Sequence, residues 1–302
     1  MDKVNVYKGF MNLIDGKKIY VEFYNNFFPN SILLIHGGPG ESCISFSYVA
    51  FLLSSKINVF MMDQRGVMRS EEENRAEMLT IDQLIDDFED VRKQLNLTKW
   101  NILGHSFGGY LALRYIIRYP DSIESAIYEN PCFDIRNSLL QILDRYIYYY
   151  KGNGLIEREC CMRELRTTSD IVKQLDGILA MPEIDRKRIF KSEAITNECR
   201  KFYDARLISD VAINRCLEHY DTIKHDSTLY CDYWDLLEKS SCQSLLLQGE
   251  LDPMLPECDK NRWLGNANNE AVLIANTGHY IHSDAPSIFI NSVIDYVGKE
   301  KL

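Results

Sequence analysis

The stretch NILGHSFGGYLALRYIIRYP, residues 101–120, sets a short apolar run against Gly104-His105-Ser106-Phe107-Gly108 and follows it with an amphipathic segment that stops at Pro120. An unbroken apolar run that meets glycine suits a strand buried on both faces, and the i, i+3, i+4 spacing after it suits a helix. Ser106 therefore sits on a strand-to-helix turn. The five-residue pattern G-x-S-x-G is too short to define a chemistry, because a plain turn serine fits it equally well. Its meaning depends on what the other strands end with.

The same rhythm extends in both directions. SILLIHGG (31–38), INVFMMDQRG (57–66) and SIESAIYENP (122–131) read as further buried strands, and FSYVAFLLSS (46–55) and IDQLIDDFEDVRKQL (81–95) as crossover helices between them. Strand and helix in alternation imply a mainly parallel sheet covered on both faces. Upstream, two strand-like runs flank Asp15-Gly16, a hairpin signal, so an antiparallel pair should open the sheet. From about Asp134 to Ser240 the strand rhythm stops and the chain turns charged, tyrosine-rich and helical in pattern. It resumes at QSLLLQGELDP (243–253) and EAVLIANTGHY (270–280), with a closing helix after Pro286. The expected fold class is α/β, with a core of residues 1–133 and 241–302 and a helical cap inserted at 134–240.

In open parallel sheets ligands bind beyond the carboxyl ends of the strands. Those ends supply His105-Ser106, then Gly249-Glu250-Leu251-Asp252, then Thr277-Gly278-His279. A serine, an acid and a histidine arrive in that chain order, which is the order of α/β-hydrolases. A serine hydroxyl attacks well only when a base removes its proton. An imidazole with an ordinary pKa near ~6.5 can take and return that proton at neutral pH, and a carboxylate can fix its tautomer. Glu250 is the rival acid and His282 the rival base; Asp252 and His279 lie better placed at their strand ends. Donors for a developing oxyanion are expected from the backbone N–H of Phe107 and from His36-Gly37-Gly38-Pro39-Gly40, with Gly38 favoured and Gly37 as the alternative.

HGGPG, DQRG followed by Ser70, GHSFGG, GELDP and GHY, in this order over nearly the whole chain, resemble the proline iminopeptidase-like α/β-hydrolases, peptidase family S33. The resemblance implies a catalytic set of Ser106, Asp252 and His279, oxyanion donors at Gly38 and Phe107, and a helical cap over the site. It implies a serine hydrolase of aminopeptidase or amidase type, acting through an acyl-enzyme with no metal or organic cofactor. Two departures bear on substrate: Met68 stands where such relatives have the second glycine of DQRGxGxS, and Pro253 stands where some carry a glutamate that helps bind the substrate ammonium. Glu218, Asp221 and Asp226 are other carboxylates of the insertion. An ester, lactone or thioester of a small molecule is the alternative substrate, and a ligand receptor without turnover the alternative class.

Composition sets the remaining bounds. At 302 residues, with 46% hydrophobic and 26% charged, the chain can bury a large core. No apolar run nears the roughly 20 residues of a membrane span, and no secretory signal is read at the start. A net charge of −10 disfavours nucleic acid as a partner, and the basic cluster Arg186-Lys187-Arg188 with Lys191 reads as a solvated helix face. Nine cysteines without a CxxC pair suit free thiols, so a cytoplasmic location is expected. The expected partner is a small-molecule or short-peptide substrate, with no nucleic acid and no membrane.

Overall fold

The computed structural model describes residues 5–71, 79–191 and 209–299. Its sheet has eight strands: β1 (Val6–Asn12), β2 (Lys18–Tyr24), β3 (Ser31–Ile35), β4 (Asn58–Met62), β5 (Trp100–His105), β6 (Ile123–Glu129), β7 (Ser244–Gly249) and β8 (Asn269–Ile274). They lie in the order β1-β2-β4-β3-β5-β6-β7-β8. β1 and β2 form the expected hairpin, closed through Gly16 at φ 84°, and β2 joins β4 antiparallel. From β4 through β8 every neighbouring pair is parallel.

Side-chain alternation assigns the two faces. In β3, Leu33 and Ile35 join a core cluster with Leu84 and Phe88 of α2 (Ile81–Gln94) and Leu111 of α3 (Phe107–Arg118). Ile32 and Leu34 join a second cluster with Val49 and Leu53 of α1 (Ser47–Leu53) and with Phe289 and Val293 near the chain end. Burial on both faces explains why β3, β4, β5 and β7 read as unbroken apolar runs. Local signals agree with the packing. Thr80 caps α2 in a capping box, its Oγ1 accepting from Gln83 N at 3.3 Å while Gln83 Oε1 accepts from Thr80 N at 2.9 Å.

Between β6 and β7 the described residues form helices and loops only: α4 (Ile135–Gly152), α5 (Ile156–Thr167), α6 (Ile171–Leu179), α7 (Glu183–Phe190), α8 (Asp210–Ile223) and α9 (Trp234–Glu238). Residues 192–208 of the expected insertion lie outside the described residues. These helices carry their own core, in which Leu139, Ile142, Leu143 and Tyr146 of α4 meet Met162, Ile178 and Ile189. Tyr146 and Tyr150, one turn apart, point inward while Tyr148 is 83% exposed, so the tyrosine run is divided between packing and surface. α10 (Glu257–Leu264) and α11 (Pro286–Gly298) complete the fold. No described helix is long and apolar enough to cross a membrane.

The turn after β4 is braced by buried charge. Asp63 accepts from Ser42 Oγ at 2.5 Å, Cys43 N at 3.0 Å and Arg69 Nε at 2.6 Å, and Arg65 forks onto Asp87 at 2.9 and 2.6 Å. α8 docks here, its His219 Nδ1 lying 2.9 Å from the Arg65 carbonyl. A carbonyl only accepts, so Nδ1 carries the proton; burial pushes the His219 pKa down to about 3 and keeps the ring neutral.

The strand that leads to Ser106 should be sensitive to lost volume. Leu103 is fully buried, and Leu103→Ala is expected to destabilise the fold by about 2–5 kcal/mol. A lower urea midpoint with an unchanged slope would report this.

Candidate active site

β5 ends at His105, and Ser106 turns the chain into α3 with φ 54° and ψ −120°. That conformation costs a non-glycine residue roughly 1–3 kcal/mol and persists only where its surroundings enforce it. They do so here: Ser106 N–H donates to Glu129 O at 3.0 Å, and Ser106 O accepts from Gly109 N at 2.9 Å. A Cβ on Gly104 would run into the Gly108 carbonyl, and one on Gly108 into the Ile35 carbonyl, so the turn closes tightly only with glycine at both positions. Ser106 is thereby held rigidly at the N-terminus of α3, with Phe107 as the first helical residue.

Asp252 and His279 meet although they leave different strands. His279 Nδ1 lies 2.7 Å from Asp252 Oδ1, and Asp252 Oδ2 accepts from Met254 N at 3.0 Å. An ionised carboxylate only accepts, so Nδ1 donates and a neutral ring leaves Nε2 as a free base. Burial opposes a charge on His279, but the carboxylate of Asp252, aided by those of Glu41 and Glu129, raises its pKa above the ordinary value. The rivals are engaged elsewhere. Glu250 Oε2 accepts from Asn276 N at 2.9 Å, and His282 donates its backbone N–H to Glu129 Oε1 at 2.8 Å with its Nδ1 2.8 Å from Oε2.

Of the two glycines proposed as oxyanion donors, Gly37 lies against the serine: a Cβ on it would come 3.3 Å from Ser106 Cβ and 2.7 Å from Glu41 Oε2. Gly38 has φ 121°, and a Cβ there would meet the amides of Gly40 and Glu41 at 2.5 and 2.8 Å. His36 is an orienting group, accepting from Gln64 N through Nε2 at 3.0 Å. Among the acids of the insertion, Asp221 pairs with Lys224 at 2.8 Å, and Asp226 caps the amides of Ile81 and Thr228, each at 2.9 Å.

Several residues at the site were not singled out from sequence. Asn130, at φ 42°, donates to Gly278 O at 2.9 Å and His279 O at 2.8 Å while accepting from Gly249 N at 2.8 Å, so one amide ties together the ends of β6, β7 and the histidine loop. Glu129 joins the serine turn to the same loop through its backbone and its side chain. Both are polar residues at the end of an apolar strand, in Glu129-Asn130-Pro131, and that strand-end position is the signal the sequence carries for them. Tyr280 Oη donates to Glu41 Oε1 at 2.5 Å, and Glu41 Oε2 is buried with no hydrogen-bond partner among the described residues. His105 packs its ring 4.7 Å from that of His279; burial, then the neighbouring His279 and His282, hold its pKa far below the ordinary value. His105, Glu129 and His282 bring possible metal-ligating atoms within 4.8 Å of one another. Glu129 already engages both the backbone and the ring of His282, so the group reads as a buried hydrogen-bonded pair beside His105.

This sheet order, with a strained serine turn and a histidine–carboxylate pair at its strand ends, is the α/β-hydrolase fold. The alpha/beta hydrolase fold family matches residues 30–152. The curated relatives that the chain resembles include proline iminopeptidases. It is 30% identical over 125 residues to the proline iminopeptidase of Heyndrickxia coagulans, spanning 41% of this chain and 43% of that one. The chain thus covers less than half the length of the first curated relatives it matches. Against the proline iminopeptidase of Flavobacterium johnsoniae the identity is 29% over 296 residues, 93% of each chain. A solved structure of a proline iminopeptidase-related protein from Thermus thermophilus superposes with a TM-score of 0.71 at 19% identity, covering 97% of this chain and 98% of that one.

Removal of the Asp252 carboxylate should lower the His279 pKa, since burial then meets less opposition. An NMR titration of Asp252→Ala checks this, and an unmoved midpoint would show that Asp252 is not the partner that matters. Because the folded value is raised, protonated His279 stabilises the wild-type fold. That contribution is complete below pH ~6.5 and is lost as the pH rises through the folded value.

Proposed function

We propose that the chain is a serine hydrolase in which Ser106, His279 and Asp252 act together. The observation that carries this reading is the buried 2.7 Å Asp252–His279 bond at two strand ends of the sheet that holds Ser106 on a strained turn. Ser106 Oγ attacks the carbonyl carbon of the substrate as His279 Nε2 takes the hydroxyl proton. The electron pair of the carbonyl moves onto oxygen, where the backbone N–H groups of Phe107 and Gly38, with Gly37 as the alternative, receive it; each such donor contributes about 3–4 kcal/mol in the transition state. The imidazolium, held by Asp252, returns the proton to the leaving group and an acyl-Ser106 ester forms. Water then attacks that ester by the same route, with His279 again as base.

The substrate we favour is a short peptide or amide with a free amino terminus. Its support is the resemblance to proline iminopeptidases together with the unpartnered Glu41 carboxylate oxygen beside Gly37, a counter-charge for an ammonium. The inserted helices act as a cap in this reading: α8 lies on the Gly40 loop, and Phe190 lies on the histidine. An ester, lactone or thioester substrate is the second reading. It is favoured by Pro253 after the acid and by Asp221 and Asp226, whose engagement elsewhere leaves them poor ammonium ligands. The free cysteines, eight among the described residues, suit a reducing, cytoplasmic setting.

Ser106→Ala should abolish labelling by a fluorophosphonate probe and cut hydrolysis below about one part in a thousand of wild type while the fold persists. Folded wild-type protein that resists the probe would overturn the hydrolase reading. A panel of aminoacyl-arylamides against p-nitrophenyl esters separates the two substrate readings, with preference for the prolyl arylamide expected and activity on esters alone supporting the second.

A further inference from the structure

Four consecutive carbonyl oxygens after β7 are engaged by one helix of the insertion. On α4, Ser138 Oγ donates to Met254 O at 2.6 Å and Gln141 Nε2 to Pro253 O at 2.6 Å. Arg145 donates through Nη1 to Leu251 O at 2.7 Å and through Nη2 to Asp252 O at 2.8 Å. Spacings of three and four residues place all three side chains on one helix face. The segment 251–254 belongs to no helix or strand, so its carbonyls have no partners in regular secondary structure. Its amides are fixed from the core side: Leu251 N–H donates to Thr277 O at 2.9 Å and Asp252 N–H to Gly249 O at 3.1 Å. The loop that carries the acid is therefore held from above and below.

His279 is held by the same body. Its N–H donates to Phe190 O at 2.9 Å at the end of α7, and its ring meets the Phe190 ring at 5.4 Å. α4 and α7 share the small core of Leu139, Ile142, Leu143 and Ile189, against which Phe190 and Met254 also pack. Both partners of the acid–base pair are thus fastened to one packed unit outside the sheet.

We propose that α4 and α7 belong to the catalytic frame, with Ser138, Gln141 and Arg145 as positioning residues that fix Asp252 relative to His279; this rests on the hydrolase reading above. Substrate access that swung α4 away would loosen the acid, so α4 stays in place during turnover and the site opens elsewhere. A bond set that served only to attach the insertion would leave the histidine unaffected when weakened, and that difference is measurable.

The groups facing His279 are the carboxylates of Asp252, Glu41, Glu129 and Asp284 and the rings of His105, Tyr280 and Phe190, with His282 behind His105 and the Arg145 cation behind Asp252. Variants that keep charge constant isolate positioning from electrostatics. Ser138→Ala/Gln141→Leu removes two neutral donors, and Arg145→Lys keeps the cation but loses the planar two-donor fork. In each, the His279 midpoint followed by NMR should fall by about half a pH unit as its hydrogen bond to Asp252 loosens. The plateau rate of Ser106 labelling by a fluorophosphonate should fall on the order of 10-fold, with its acidic limb moved to lower pH by the same amount. A His279 midpoint that stays in place in the folded variants overturns the proposal even where labelling slows. If the double variant does not fold, Gln141→Leu alone and Arg145→Lys give the same reading. Wild-type protein that is never labelled sinks the hydrolase reading, while the His279 midpoints still decide whether α4 positions the pair.

Discussion

A carboxylate with no exposed side-chain surface, bonded at 2.7 Å to an imidazole that is itself 6% exposed, is the constraint around which this molecule is organised. A buried charge is tolerable only when paired and hydrogen-bonded on its remaining sites. Asp252 meets that requirement with His279 on one oxygen and the Met254 amide on the other. The pairing works only if two loops from separate strands stay in register. Strand order brings β7 and β8 side by side, Asn130 ties both loops to β6, and α4 and Phe190 close the arrangement from outside the sheet. Each layer is a weak restraint alone; together they remove the freedom that would let water in between acid and base.

The serine turn is held in a different way. Its φ of 54° is unfavourable locally and is imposed by the most rigid part of the fold, the central strands β3, β5 and β6, whose residues are nearly all buried. The Glu129 carbonyl fixes the turn at Ser106 N–H, and the Glu129 side chain fixes the histidine loop at His282. One residue on β6 therefore couples the position of Ser106 to that of the loop that carries His279 and His282. A substitution at Glu129 touches both, whereas one on α4 touches the acid first.

The parts legible from sequence were those encoded locally. Buried parallel strands appear as apolar runs, and Ser106, Asp252 and His279 stand out because each follows such a run directly. What stayed hidden depends on which strands become neighbours. Asn130 acquires its role only once β6 lies between β5 and β7, and Asp226, which looks like a surface carboxylate in a charged stretch, caps the Ile81 amide 145 positions away in the chain. Ser138, Gln141 and Arg145 form the polar side of an amphipathic helix, and nothing in their spacing distinguishes a side turned to solvent from one turned to another loop. Gly37 and Gly38 are likewise equivalent as letters. Only the close approach of Gly37 to Ser106 separates them.

Met68 shows how a departure from the family pattern acquires physical content. Proline iminopeptidase-like relatives carry glycine at this position of the turn after β4, and the turn here keeps the glycine-like conformation, φ 49°, with a methionine in it. The side chain is 9% exposed and clusters with Val67 and with Ala212 of α8, while the Met68 carbonyl accepts from Arg215 of the same helix at 3.2 Å. The strain of the turn is thus offset by anchorage of the helix that also lies on Gly40, where a Cβ would strike the Cys216 carbonyl. A glycine would relieve the backbone and leave a void under α8. The helix that lies on the Gly40 loop is accordingly anchored by a residue on the core side, and the departure at Met68 leaves Ser106, Asp252 and His279 untouched.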